Sequence, residues 1–240
     1  MSKNFKLFLG FTYLLLLAVF LYFIFSNIQI NRLNDFSYYK ELRVSLDSFI
    51  SKNLLINVIF FFIFSIIWIV LLGFGSPILI FSGILFGKWI GTVVSTISIS
   101  IGAILLYSIA NFFFKDFIKN ALEKKFKKYV LLFQKNEFYY FLIYRFVGGL
   151  GVPFFLQNLF PILFNMKKIN YFFSSFFGLI PSFFIMNTIG AGLNDYIEKA
   201  DQFSFTELAT TPEIYYPIIM FIGLMVVSLI IKKRFFKNDD

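Results

Sequence analysis

The chain has 240 residues, of which 59% are hydrophobic and only 15% charged. An ordinary soluble domain carries about 25% charged residues, so this composition excludes a water-exposed globule and defines a membrane protein. The net charge of +9 sits in short clusters beside apolar segments, which orients a chain in an anionic membrane rather than marking a nucleic-acid binder. Cys and His are both absent, which removes disulfides, thiol chemistry, the commonest general base and the commonest neutral metal ligand.

In chain order, the first apolar run extends from Phe5 to Phe25, behind Lys3 and Lys6. It is longer than a signal-peptide core and ends Tyr22-Phe23-Ile24-Phe25-Ser26-Asn27 without a small-x-small cleavage pattern, so it reads as a retained anchor helix. Residues 39 to 50 carry Leu42, Leu46, Phe49 and Ile50 at helical spacing, a weak amphipathic connector. Further spans are expected at Leu54–Leu72, Trp89–Phe114, Tyr171–Gly190 and Ile214–Ile231, each near the ~20 residues that cross a ~30 Å hydrocarbon layer. None alternates with period two, which argues against a β-barrel.

Between residues 115 and 137 lie seven lysines, with Ile118, Leu122, Phe126, Val130 and Phe133 at three- and four-residue steps. This pattern predicts an amphipathic helix with a basic face, lying on the membrane surface. The lysine excess of this segment, Lys167-Lys168 and the tail Lys232-Lys233-Arg234-Lys237 all favour the cytoplasmic side. Residues 194 to 213 hold five acids and one lysine and should face outward. For the N-terminus, counting crossings gives outside while Lys3 and Lys6 favour inside, and the sequence leaves both open.

Two apolar segments fail to span. Ser76 to Gly87 has only 12 residues, ~18 Å as helix, bounded by Gly75-Ser76-Pro77 and by Gly83, Phe86 and Gly87. A half-helix that enters the membrane and turns back satisfies that length. From Phe138 to Met166, helical continuity is interrupted by Gly148, Gly149, Gly151 and Pro153, and Gln157, Asn158 and Pro161 follow within the apolar restart. One kinked span is the alternative for this second stretch. Paired interruptions point to a transporter-type site, because unwound backbone is tolerated at membrane depth only where protein or a cavity shields it. With the charge assignments above, the first hairpin enters from outside and the second from the cytoplasm, an inverted repeat.

Arg145 is the only charge between Glu137 and Lys167, and one of four arginines against 18 lysines. An embedded Arg costs several kcal/mol and faces a cavity or a partner, and its fork suits phosphate. Two readings follow from the residues: engagement of a lipid phosphate or a carbonyl cluster, or snorkelling toward the nearby interface. No acid occurs between Asp47 and Asp116, and Asn111, Asn158, Asn165 and Asn187 do not titrate, so acid–base or metal chemistry lacks obvious residues. No catalytic residue, metal site or cofactor is expected, and the chain reads as a non-enzyme.

The run Gly83-x-x-Phe86-Gly87-x-x-x-Gly91, followed by Gly102-Ala103-x-x-x-Tyr107, resembles the first hairpin of the DedA, or SNARE-associated Golgi protein (VTT-domain), superfamily in its bacterial inner-membrane branch. Arg145-Phe146, the break to Pro153, Asn158, Gly178-x-x-Pro181 and Gly190 resemble its second signature. The resemblance covers about residues 54 to 195. It implies two facing re-entrant hairpins and a role in moving lipids as scramblase or lipid-carrier translocase. Proton-coupled relatives tend to carry an acid near Ser76-Pro77, and a Pro soon after the Arg is commoner than Gly148-Gly149. This chain has neither; the missing acid argues against proton coupling, and the missing Pro changes only how the helix breaks.

The expected architecture is therefore an all-α polytopic membrane protein with about five transmembrane helices and two oppositely entering re-entrant hairpins. Residues 1–53 form an anchor and connector, 54–195 the core, and 196–240 an acidic outer loop, a last helix and a basic cytoplasmic tail. The expected partners are membrane lipids with anionic or phosphate-bearing headgroups in the plasma membrane, with a homo-oligomer left open. Secondary transport of a small anion or ion, and a non-transporting assembly role for the basic helix, are the alternatives.

Overall fold

The structure, a computed structural model, describes residues 3–26 and 29–235; Asn27 and Lys237 of the sequence reading lie outside them. Nine α-helices occur among these residues: α1 (Lys3–Ser26), α2 (Phe36–Lys52), α3 (Leu54–Leu72), α4 (Ser76–Lys135), α5 (Glu137–Phe146), α6 (Phe154–Leu159), α7 (Lys168–Lys199), α8 (Phe205–Thr210) and α9 (Pro212–Phe235). Short 3-10 turns at Ile30–Arg32, Gly148–Gly151 and Phe160–Phe164 link them. Five of the helices are long and apolar enough to cross a membrane, at Phe8–Ser26, Leu54–Leu71, Ser76–Leu122, Lys168–Lys199 and Pro212–Ile231. The chain is a multi-pass helical membrane protein.

Two reversals shape the first half. α3 stops at Gly73, whose φ of 74° is left-handed and whose N–H closes on Ile69 O. Gly75 and the early Pro77 then start α4, where a missing proline N–H costs nothing. α4 itself folds back at Gly87 (φ 70°, ψ 178°). The Ser82 hydroxyl donates to Gly91 O at 3.0 Å, although nine residues of unbroken helix would hold those positions ~13 Å apart. The arm over residues 76–86 and the long arm over residues 88–135 both pack on α3. Phe61 of α3 meets Phe86 edge-on at 5.3 Å, and a Cβ on Gly102 would come within 2.8 Å of Ile69 Cβ.

α7 is the post on which both halves pack. Its C-terminal half takes the short arm of α4 at very close range: a Cβ on Gly83 would fall on the carbonyl oxygen of Asn187, and one on Gly190 on that of Ile80. Glycines on both sides let the two backbones meet, the small-residue packing that replaces the hydrophobic effect in lipid. The N-terminal half of α7 takes α5, which runs alongside it from Glu137, near Asn170, to Arg145, near Gly178. The short arm of α4 and α5 therefore pack on opposite halves of α7.

At the far end of α7, Arg43 of α2 donates to Asn194 Oδ1 (3.0 Å) and pairs with Glu198 (2.6 Å) and Asp47 (3.2 Å). This fastens the amphipathic connector to the core. α1 is attached more lightly, through the Tyr13 hydroxyl on Leu71 O and through Phe20 against Phe64 and Trp68.

One expectation is changed in its surroundings. Residues 115–135 are helical on either side of a kink at Phe126 (φ −114°, ψ 16°), and most of their apolar stripe is turned into the protein. Ile118, Val130 and Phe133 are buried in the protein core. Phe133 is stacked on Phe164 at 4.9 Å and meets Phe141, Tyr144 and Phe160 edge-on, while Phe126 meets Phe160. The period reported a buried face correctly; the surface that covers it is the α5–α6 unit.

Candidate functional site

The second interruption is built by its own turn residues. Asn136 caps α5 by accepting from Tyr139 N at 3.1 Å, and α5 ends ten residues later at Phe146. Gly148 and Gly149 follow with φ of 66° and 68°, a left-handed pair that only glycine adopts without strain. A Cβ on Gly149 would overlap the Gln157 side chain. Gly151 closes the 3-10 turn, and Pro153 caps α6, its carbonyl accepting from Gln157 N at 3.0 Å. Pro161 sits in the first turn of Phe160–Phe164, and its carbonyl accepts from Met166 N at 3.1 Å.

Arg145 is completely buried here, at 0% exposure. It neither snorkels nor faces lipid. Its Nη1 donates to Gln157 Oε1 (3.0 Å), its Nη2 to Asn158 Oδ1 (2.6 Å) and to Tyr171 OH (2.9 Å), and its Nε to Ser175 Oγ (3.2 Å). The rings of Phe141, Phe154 and Tyr171 lie 5.0, 5.2 and 5.6 Å from the guanidinium carbon. Charge-assisted hydrogen bonds and cation–π contacts of this kind offset burial that would otherwise cost several kcal/mol. All of these partners are neutral. The ion pairs among the described residues lie elsewhere, on Arg32, Lys40 and Arg43.

Gln157 serves two groups at once. Besides accepting from Arg145, its Nε2 donates to Val152 O at 2.7 Å and Gly148 O at 3.3 Å. The amide therefore satisfies carbonyls that the broken helix leaves without partners, the condition for unwound backbone inside a membrane protein. Asn158 is only half used: its Oδ1 accepts from Arg145 and from Tyr171 OH (3.2 Å), while its buried Nδ2 has no hydrogen-bond partner. A buried amide N–H without an acceptor, beside a guanidinium without a carboxylate, leaves the site rich in donors.

The two interruptions meet. Gly73 lies against the ring of Phe155, and Gly75 has Ile99 Cδ1 and Phe154 Cε1 within 4 Å of its would-be Cβ, at 3.6 and 3.9 Å. Phe154 is also one of the rings facing Arg145. Of the residues singled out in sequence, Arg145, Gly148, Gly149, Gln157 and Asn158 form one cluster, and Gly178 lets α7 approach it, since a Cβ there would come within 2.7 Å of Arg145 Cβ. Pro181 remains inside α7, three residues further on, without ending the helix.

Gly83, Gly91 and Gly190 belong to a different place, around Asn187. There Asn187 Nδ2 donates to Ser95 Oγ (3.1 Å) and Phe183 O (2.8 Å). Ser76 is exposed, Phe86 packs on α3, and Ala103 and Tyr107 are buried side chains of α4, Tyr107 meeting the Tyr171 ring at 5.2 Å and its OH donating to Met166 O at 2.7 Å. Tyr171 and Ser175, two of the four partners of Arg145, escaped the sequence reading. Their spacing of four, with Gly178 three further on, puts them on one face of α7 and was a usable signal.

Five helices long and apolar enough to span, with two interruptions that meet through Phe154 and Phe155 beside a fully buried arginine, define a polytopic helical membrane protein. The VTT domain matches residues 69–192, which contain both turns, Arg145 and the packing glycines, and the chain belongs to the VTT-domain (DedA) family. No solved structure matches the chain.

Proposed function

We propose that this protein moves phosphate-bearing lipids across the plasma membrane, acting as a scramblase or lipid-carrier translocase between two re-entrant hairpins of opposite entry. The observation that carries this reading is the donor surplus at the second break: fully buried Arg145 has neutral acceptors only, and Asn158 Nδ2 beside it has none. A phosphate oxygen entering there replaces the amide oxygens of Gln157 and Asn158 as the acceptor of the guanidinium fork. The apolar groove of about 350 Å³ bordered by Phe49, Phe60, Phe61, Phe64, Leu85 and Phe86 offers a complementary path for an acyl chain along the first hairpin.

Reconstitution into liposomes with a fluorescent phospholipid tests the proposal. Transbilayer movement above that of empty vesicles is expected, and its loss in Arg145→Ala. Movement no faster than in empty vesicles, or full activity in that variant, removes the mechanism. A small-anion carrier is the second reading, favoured by the complete enclosure of Arg145. It predicts flux of inorganic phosphate or a comparable anion with no lipid movement.

A further inference from the structure

The basic stretch of α4 has no role in the Arg145 site, and its packing changes what it can do. We infer that residues 115–135 form a second, chiefly electrostatic binding surface for the anionic headgroups of a bilayer, one that docks without inserting its apolar stripe. An amphipathic helix lying on a membrane would bury its apolar stripe among acyl chains. Here that stripe is already covered, because Ile118, Val130 and Phe133 are buried and Phe126 and Phe133 interlock with the rings of Phe160 and Phe164. Outward the segment presents mostly polar side chains, with Phe117 and Leu131 the exposed large apolar ones among the described residues. Lys124, Lys127 and Lys135 are exposed, and the ion pairs among the described residues involve none of them.

Placement supports the assignment. The long arm of α4 begins at Lys88, so about 40 Å of helix separate it from Lys115, more than the ~30 Å of a hydrocarbon core. The lysines thus fall beyond the apolar layer, where juxtamembrane basic clusters attract anionic lipid by about 1 kcal/mol each and within a Debye length. Seven lysines against Asp116, Glu123 and Glu137 give the segment the required sign. The surface is fixed to the α5–α6 unit through Phe133, so the lipid it holds lies beside the hairpin that carries Arg145.

The full chain, purified in an uncharged detergent, is titrated with phosphatidylglycerol or phosphatidylcholine while its thermal midpoint is followed. Phosphatidylglycerol is expected to raise the midpoint, with the effect largely lost at 0.5 M salt, and phosphatidylcholine to leave it unchanged. The triple variant Lys124→Gln, Lys127→Gln, Lys135→Gln should need roughly a hundredfold more phosphatidylglycerol for the same rise, about fivefold per lysine. A control carrying Lys52→Gln and Lys88→Gln should match the wild type. A polyglutamate arm separates an acidic protein partner: a rise with polyglutamate and none with phosphatidylglycerol overturns the lipid assignment. Equal loss in variant and control, or a salt-independent rise, overturns it as well. The chain has no native Cys, so a polarity-sensitive dye on Gln134→Cys, an exposed site, reports insertion directly. Emission typical of water in phosphatidylglycerol vesicles is expected, and a blue shift with quenching by acyl-chain quenchers overturns docking without insertion. None of these readouts depends on lipid movement through the Arg145 site.

Discussion

Gly83 and Asn187 meet backbone to backbone: the Cα of the first points at the carbonyl oxygen of the second, with no room for a methyl group between them. Gly83→Ala forces the short arm of α4 off α7 and is expected to cost about 1–3 kcal/mol as overpacking. Gly87→Ala meets nothing within 4 Å and carries only backbone strain, ~1–3 kcal/mol, because φ 70° with ψ 178° is a region essentially confined to glycine. Gly10→Ala, also in open space, should be neutral. Thermal unfolding of the three in one detergent checks the order; a neutral Gly83→Ala contradicts the close approach.

Arg145→Lys keeps the charge and loses the fork. One ammonium group cannot reach Gln157, Asn158, Tyr171 and Ser175 together, so the exchange should cost about 2 kcal/mol or more and should not support lipid movement. Gln157→Leu is expected to be worse, about 3–5 kcal/mol, because it strips an acceptor from a buried charge and frees Gly148 O and Val152 O. Denaturant or thermal titration ranks them. Stability equal to wild type in Gln157→Leu would show that the loop does not need its amide.

Phe133→Ala removes a ring at 0% exposure from among four others, and a cost of about 3–5 kcal/mol is expected. Phe117→Ala on the same helix, where the ring is 73% exposed, should change stability by less than about 0.5 kcal/mol. Were the basic helix lying apolar face down on lipid, Phe133→Ala would weaken membrane association instead and leave the core intact, which limited proteolysis distinguishes.

Much of this arrangement was legible in the residues, and the reasons are local. A glycine or proline cluster in an apolar run announces a turn whatever surrounds it, so Gly75, Gly87, Gly148 and Gly149 could be placed without coordinates. Arg145 stood out because nothing charged lies near it in sequence. Its environment was not legible, because Tyr171 and Ser175 arrive from 26 and 30 residues downstream through the register of α5 on α7. The stripe at Ile118 to Phe133 had the right period, but a period reports that a face is covered and says nothing of what covers it.

The link between α1 and α2 should respond to acid. The Ser37 hydroxyl and backbone N–H hold the Asp35 carboxyl below its ordinary value of 3.8, helped by Arg32, and the Arg32 fork holds Glu41 below 4.5. Groups depressed in the folded state contribute stability that is present above their unfolded values and lost as pH falls through the folded ones. Amide exchange at the start of α2 should therefore be flat down to about pH 4.5 and accelerate below it, beyond the intrinsic pH dependence of exchange. Arg32→Gln should lower protection above that pH and make the acid-dependent change smaller. Protection unchanged at pH 3 would contradict the arrangement.

The double duty of Gln157 has a consequence for the barrier itself. An amide tethered to α6 answers the carbonyls of Val152 and Gly148, a task that in a wetter break falls to solvent. Held by Arg145 on one side and by two carbonyls on the other, that amide keeps the groups freed by the break satisfied from within the chain. The secondary structure gives way there while the hydrogen bonding of its backbone does not.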